Sequence, residues 1–544
     1  MKISKDKILI LLVCVLAIPT FFRMLRPGIY SMQDPHVFRL YEFDKCIKDF
    51  QIPCRWSPDS AHGYGEPLFN FYTRVPFIVG EAFHLIGFQI IDSTKIAFAL
   101  SLVFSAITMF TLGKYLWKNN NSALLSAILY IYAPYRALDV WVRAALPEAW
   151  AFVFFPLIIL FALKFMDGGK KINLFYLSLC LSMLILTHNL SLFMFIPTLA
   201  IFLAFKIFES KSYKRIFPMA ISAIGAVALS SYYLLPVIFE TKFINLDSTI
   251  QGYFDFRGHF AGFSQLLFSR YWGYGASLFG PDDRLSLSVG QVQWIIPILG
   301  IILLTFSKKS EVKDAVVLTI LGWFALFLTH NKSAQVWEHI KPMWYLQFPW
   351  RFLSIATFCF SLAGGAMALV FARFKYITWV ILGVVIATNL SFFREDLWFK
   401  ISDKEQFSGA KWEEQQASSI GDYWPVFAKT IPVLQATKNA LSDEGFVGKE
   451  IGKTTNKASY IVNLDKESEV QFPIAYFPGW IASVNSNRTN TYPTGEFGLV
   501  TAKLPEGENQ NIVLNFTNTP IRTTGNLISL VSIAVFGLLF KKHA

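Results

Sequence analysis

Apolar runs of about 17–22 residues recur along this chain, each long enough to cross about 30 Å of hydrocarbon. They lie near positions 8–25, 95–113, 122–138, 148–165, 172–188, 190–207, 216–238, 289–306, 314–330, 351–372, 376–394 and 524–540. The pattern predicts a polytopic α-helical membrane protein of about 12 transmembrane helices. Two long connections interrupt it. Residues 27–94 alternate short amphipathic pieces with breaks: Val37–Phe50 reads as a helix, Gly63-Tyr64-Gly65-Glu66-Pro67 as a turn, and Pro67–Gly87 as helices lying at the interface. Residues 239–288 are rich in Gly, Tyr and Phe, which argues for an ordered functional loop.

Beyond position 394 the period changes. The apolar stretches shorten and alternate in Ala458–Leu464, Ser468–Tyr476, Ile481–Val484 and Asn511–Phe516, punctuated by Gly, Pro and Asn. That is the signature of antiparallel strands and predicts a β-sandwich-like domain, with a helix over Asp403–Ser418 before it and Trp480 in its core. The expected units are residues 1–394 (transmembrane), 395–523 (mainly β) and 524–544 (a last transmembrane helix with a short tail).

Composition agrees: 54% of the 544 residues are hydrophobic and 16% charged, below the roughly 25% charge of soluble domains. The net charge of +12 invites a nucleic-acid reading that its distribution removes. With the N-terminus inside, the inner segments hold Lys2, Lys5, Lys7, Lys114, Lys118, Lys164, Lys170, Lys171, Lys206, Lys211, Lys214, Arg215, Lys308, Lys309, Lys313, Arg373, Lys375, Lys541 and Lys542. Only Asp6, Asp167, Glu209, Glu311 and Asp314 oppose them. This positive-inside bias places both termini in the cytoplasm and the long loops and β domain outside the plasma membrane. The first run lacks a small-residue cleavage site and is closed by Arg23 and Arg26, so it reads as a retained helix. Cys46 and Cys54 share the first outer loop, where a disulfide is one option. Neither a nucleotide-binding glycine loop nor a zinc-ligand spacing occurs.

The chemistry-bearing residues sit at the outer ends of the spans. Asp34, in Ser31-Met32-Gln33-Asp34-Pro35-His36, follows the first helix closely, and a carboxylate so near hydrocarbon needs a reason. It is the candidate general base, with His36 as a second base or phosphate ligand; the plain alternative is a helix cap. Arg143 offers a planar fork for a phosphate, and Glu148, at the head of a span, a group to orient an acceptor or hold a metal. His188 in the hairpin Thr187-His188-Asn189, and Gln347 and Arg351 at the mouth of the tenth span, are candidate substrate contacts. So are His62, Tyr64 and Glu66 in the first loop. No metal site is assigned; a divalent metal is the one cofactor the pattern leaves room for. The adjacent acids Asp282 and Asp283 read better as solvated than as ligands.

Gln33-Asp34-Pro35-His36, Arg55-Trp56, Gly63-Tyr64-Gly65, Ala133-Pro134-Tyr135, Arg143 with Glu148, Thr187-His188-Asn189, Gln347–Arg351 and Tyr476–Trp480 together resemble the bacterial membrane proteins called 6-pyruvoyl-tetrahydropterin synthase-related, near the YfhO-like proteins. The zinc-binding histidines of the soluble pterin enzyme have no counterpart here. The group is similar in layout to GT-C glycosyltransferases. That resemblance implies a polyprenyl-phosphate sugar donor, an acidic base in the first outer loop (Asp34) and a second acid in the next loop (Glu148). The expected function is sugar transfer to an extracytoplasmic glycan, lipid or protein, with membrane lipids as partners. A flippase for lipid-linked glycans would instead show inverted repeats and mid-span charges; a cell-envelope scaffold would not depend on Asp34.

Overall fold

A computed structural model describes residues 5–31, 34–417 and 421–543, and of Asp34, Asp422, Lys542 and His543 only the backbone. Met32, Gln33 and Ser418 therefore lie outside the described residues, as does the side chain of Asp34.

A helix stands at each predicted run. Among the described residues, seven are long and apolar enough to cross a membrane: Ile90–Trp117, Leu146–Gly168, Asn189–Ser210, Val312–Thr329, Pro349–Leu369, Lys375–Phe392 and Pro520–Lys541. The run at 216–238 is broken into Tyr213–Leu229 and Ser231–Phe239, bent by 76°. At the other positions stand the shorter helices Lys5–Ala17, Asn120–Ile131, Lys171–Thr187 and Gln291–Phe306. Their ends follow local chemistry. Asn119 caps Asn120–Ile131 by accepting from the backbone N–H of Asn121 and Ser122. Leu146–Gly168 starts with Pro147 in its first turn and stops at Gly169, whose φ of +64° suits a residue without Cβ.

The first outer loop forms helices Asp34–Lys48, Leu68–Phe71 and Val75–His84, and a disulfide joins Cys46 to Cys54. Residues 239–288 hold short 3₁₀ turns and the helix Phe263–Leu267, packed through rings such as Phe256 on Trp337. The helix expected over 403–418 is two pieces, Asp403–Gln406 and Gly409–Ala417.

Nine strands follow: β1 Asn439–Ser442, β2 Gly445–Lys453, β3 Lys457–Leu464, β4 Ser468–Ala475, β5 Trp480–Val484, β6 Asn487–Thr489, β7 Thr491–Thr494, β8 Leu499–Leu504 and β9 Gly507–Phe516. Every pairing is antiparallel, and hydrogen bonding runs through all of them in the order β6-β5-β9-β3-β2-β1-β4-β8-β7. The result is one sheet rather than the two of a sandwich, and β5, near one end, comes back against β7 and β8 at the other. Its core takes in Trp480, Phe472 and Tyr460 together with Trp56, Tyr64 and Phe71 of the first outer loop. The sheet starts only at Asn439, because residues 398–412 pack elsewhere. Trp398–Phe399 pairs with Ile29–Tyr30, and Phe407 stacks on Tyr41. The β region is thus seated on the first outer loop.

Candidate functional site

A cavity of about 530 Å³ opens where one end of the helices meets the long connections. Its walls include His36 and Arg39 from the first outer helix, Arg143, Glu148, His188, Gln347, Arg351, and Tyr423 from the segment before the sheet. Of these, Glu148, His188 and Arg351 sit where apolar helices begin, at the end of the bundle where polar side chains are tolerated.

The centre is built by a short irregular stretch. Pro134 starts the turn Pro134–Ala137, and the chain then widens into a π turn, Leu138–Val142, closed by the Arg143 N–H on the Leu138 carbonyl at 2.9 Å. π turns of this kind interrupt helices most often at functional sites. This one sets Asp139 against Arg143, with Nη1 donating to Oδ1 at 3.0 Å. The same Nη1 donates to Glu148 Oε2 at 2.9 Å, and the Tyr135 hydroxyl donates to the other Glu148 oxygen. The Arg143 guanidinium lies 4.5 Å over the Trp350 ring. Asp139 and Glu148 are buried, and behind them Arg136 lies 3.7 Å from Asp139 and over Phe152.

Gln347 and Arg351 form the opposite wall. Gln347 sits at φ +63°, ψ −47°, and the Phe348 N–H bonds the Leu346 carbonyl at 2.6 Å across it. That is a γ-turn of the strained kind, held by its surroundings and typical of ligand-facing positions. Its side chain accepts from Arg351 Nη2 at 3.2 Å. Arg351 Nε and Nη1 are buried and make no hydrogen bond among the described residues. His188 is fixed by Ser191 Oγ at 2.6 Å from its Nδ1. Arg39 donates to the Tyr72 hydroxyl at 2.7 Å. His36 is buried between Phe77 and Phe98, with Nδ1 unpartnered. Burial, and Arg39 beside it, push its imidazole down to about 3. That favours the neutral form of the ring.

Six of the residues singled out from the sequence thus meet at one cavity: His36, Arg143, Glu148, His188, Gln347 and Arg351. Asp34 opens the helix that carries His36 and Arg39. The three from the first-loop break do not join them. Tyr64 packs against Phe497 in the sheet core, Glu66 is buried at a bridge with Ser57, and His62 lines a separate cavity beside Lys45, Asp59 and Lys453. The reason is the adjoining Trp56, whose ring belongs to the sheet core and draws this turn away from the membrane. Sequence reading missed Arg39, Tyr72 and Arg136. Arg39 carried a signal, being one helical turn beyond His36.

Among the described residues no group of three or more His, Cys, Asp or Glu side chains is placed to hold a metal ion. Glu148 has one oxygen on Arg143 and the other on Tyr135, so it presents no free pair of oxygens to a cation. Asp283 accepts from Gln265 Nε2 and the Leu285 N–H, which makes it the clamp of a turn.

No curated protein matches the chain. Among solved structures, the cryo-EM structure of the arabinofuranosyltransferase AftD from Mycobacteria aligns at 11% identity with a TM-score of 0.44, over 95% of this chain and 40% of that one. This chain thus spans about two fifths of that protein's length, and at such a score the likeness carries no argument about activity. The 6-pyruvoyl-tetrahydropterin synthase related domain, described as a membrane protein, matches residues 69–395. That is more than half of the sequence, and the chain belongs to this family of membrane proteins.

Proposed function

We propose that this protein is a membrane glycosyltransferase of GT-C layout, with twelve spans, that moves a sugar from a polyprenyl-phosphate donor to an extracytoplasmic acceptor. The observation that carries the reading is the charge on the cavity wall. Three arginines (39, 143 and 351) face one described carboxylate, Glu148, and two nitrogens of Arg351 have no hydrogen-bond partner among the described residues. A phosphate at the membrane surface supplies the missing acceptors and the missing negative charge.

In the proposed reaction the acceptor hydroxyl gives its proton to Asp34. Its oxygen attacks the anomeric carbon from the side opposite the phosphate. The glycosidic C–O bond breaks, its electron pair leaves on the phosphate oxygen, and the configuration inverts. Arg143 and Arg351 stabilise that departing charge, the electrostatic contribution usually largest in catalysis. Glu148 acts as a positioning residue, holding the Arg143 fork toward the cavity. His36 and His188 shape the pocket as neutral rings. The polyprenyl chain lies between helices in the bilayer.

The test is incubation of the purified protein in nanodiscs with a panel of polyprenyl-phosphate sugars, with donor consumption followed by mass spectrometry. Asp34→Asn should lose transfer at least a hundred-fold while still binding donor. Unchanged turnover in that variant would remove the assignment of the base.

A further inference from the structure

The chain singles out one motif that the donor cavity does not use: Tyr271-Trp272-Gly273-Tyr274-Gly275 in the second outer loop. Its Tyr274 and Gly275 line a second cavity, of about 450 Å³, which Arg143 also lines. The wall is fixed. Tyr274 pairs with Leu285 in an isolated bridge, and a Cβ on Gly273 or Gly275 would fall 2.2 Å from the Arg284 carbonyl or 2.4 Å from the Arg284 Cβ. Glycine on both sides of Tyr274 is what lets the two backbones abut. Tyr253, Phe348 and Trp350 supply further rings, and Phe348 and Trp350 stack at 4.8 Å. Polar groups lie between the rings. Trp350 Nε1 donates to Ser277 Oγ at 3.0 Å, the Ser277 N–H donates to the Tyr253 hydroxyl at 3.2 Å, and the Tyr274 hydroxyl donates to the Arg394 carbonyl at 3.1 Å. Arg143 and Phe348 line both cavities.

We infer that this aromatic cavity is the acceptor subsite and that it takes an uncharged sugar ring, stacked on Tyr253 and Tyr274. The inference rests on the glycosyltransferase reading, in which donor and acceptor must meet at one point; the wall shared through Arg143 and Phe348 provides that point. The chemistry favours a sugar. Its C–H faces suit flat rings, its hydroxyls suit the tyrosine and serine oxygens between them, and Arg143, which also lines the donor cavity, is the charged side chain on this wall. A prenyl chain would meet an uninterrupted apolar slot instead.

Saturation-transfer NMR on the nanodisc protein, with methyl glycosides of several hexoses and pentoses as probes, tests this directly. The wild type should transfer saturation to the ring C–H protons of at least one glycoside. Tyr253→Ala should cut the transfer at least five-fold, and Tyr253→Phe, which keeps the ring, should retain it. Tyr253 is 47% exposed, so the alanine variant should fold, and Tyr274→Phe gives an independent check. A parallel titration with farnesyl phosphate separates the outcomes. Farnesyl phosphate binding without any glycoside signal overturns the acceptor subsite and leaves the donor reading standing. Loss of farnesyl phosphate binding in Tyr253→Ala assigns the cavity to the lipid chain and overturns it as well. If neither probe binds the wild type, the glycosyltransferase reading itself fails and takes this inference with it.

Discussion

Arg351 concentrates the argument at the level of single residues. A buried donor with no acceptor costs about 1–3 kcal/mol, so a guanidinium with two idle nitrogens is poorly satisfied until something binds. Arg351→Ala should therefore leave the unfolding midpoint nearly unchanged while lowering kcat/KM for the donor at least ten-fold. Arg351→Lys should recover little, because an ammonium has no planar fork. A large drop in thermal stability with an unaltered donor KM would make Arg351 a structural residue only. His36 gives a pH prediction. Its unfolded-state value is about 6.5, and the native one is about 3. As pH falls below about 6.5, the unfolded chain takes up a proton that the native state refuses, so stability declines between those two values. Unfolding midpoints measured from pH 7.5 to 4 should fall, and His36→Gln should flatten the slope.

Among the elements, the decisive contact joins the membrane helices to the outer region. Glu240, at the end of the bent helix pair, accepts from Arg522 Nε at 2.9 Å, Asn70 Nδ2 at 3.3 Å and Thr519 Oγ1 at 2.6 Å. Arg522 in turn donates to the carbonyls of Thr517 and Pro478, and Arg55 donates to Asn70 and Asn526. The first outer loop, the bent pair and the last helix are thereby locked together under the sheet. Glu240→Ala strips the buried Arg522 of its counter-charge and should cost about 3–5 kcal/mol. The double variant Glu240→Ala, Arg522→Met should regain most of that in denaturation of the detergent-solubilised protein. Equal losses in the single and double variants would show that packing, not charge, holds the junction. None of this network was visible in the sequence, since its members come from four distant segments. The helices and strands were visible, because hydropathy and period act locally: a helix lies at every predicted run, and the strands cover the alternating stretches. The site was half visible. Arg143, Glu148 and Arg351 stood out as charges at span ends, whereas Asp139 and Arg136 needed the π turn that aligns them, and His62, Tyr64 and Glu66 misled because nothing local revealed that Trp56 ties their turn to the sheet.

For the whole molecule, the cavity and the charge pattern share one topology. The cavity is assembled from positions 36–39, 71–73, 143–148, 187–190, 233–254, 345–351 and 423. These lie in, or at the mouths of, connections that the lysine and arginine distribution places outside; none of the basic connections contributes. That segregation is what the proposed twelve-span topology would produce, and a different parity would put some of these segments on opposite faces of the bilayer. The prediction can be checked in cells after replacing the free Cys14, Cys180 and Cys359 by alanine. Lys466→Cys, exposed on the turn between β3 and β4, should react with a membrane-impermeant maleimide in intact cells. Lys214→Cys, exposed in a basic connection, should react only after permeabilisation. Reversed labelling would turn the arginine-lined cavity toward the cytosol and away from an extracytoplasmic acceptor, whatever its affinity for phosphate. Labelling of both residues from outside would break the alternation, and with it the reason these loops converge.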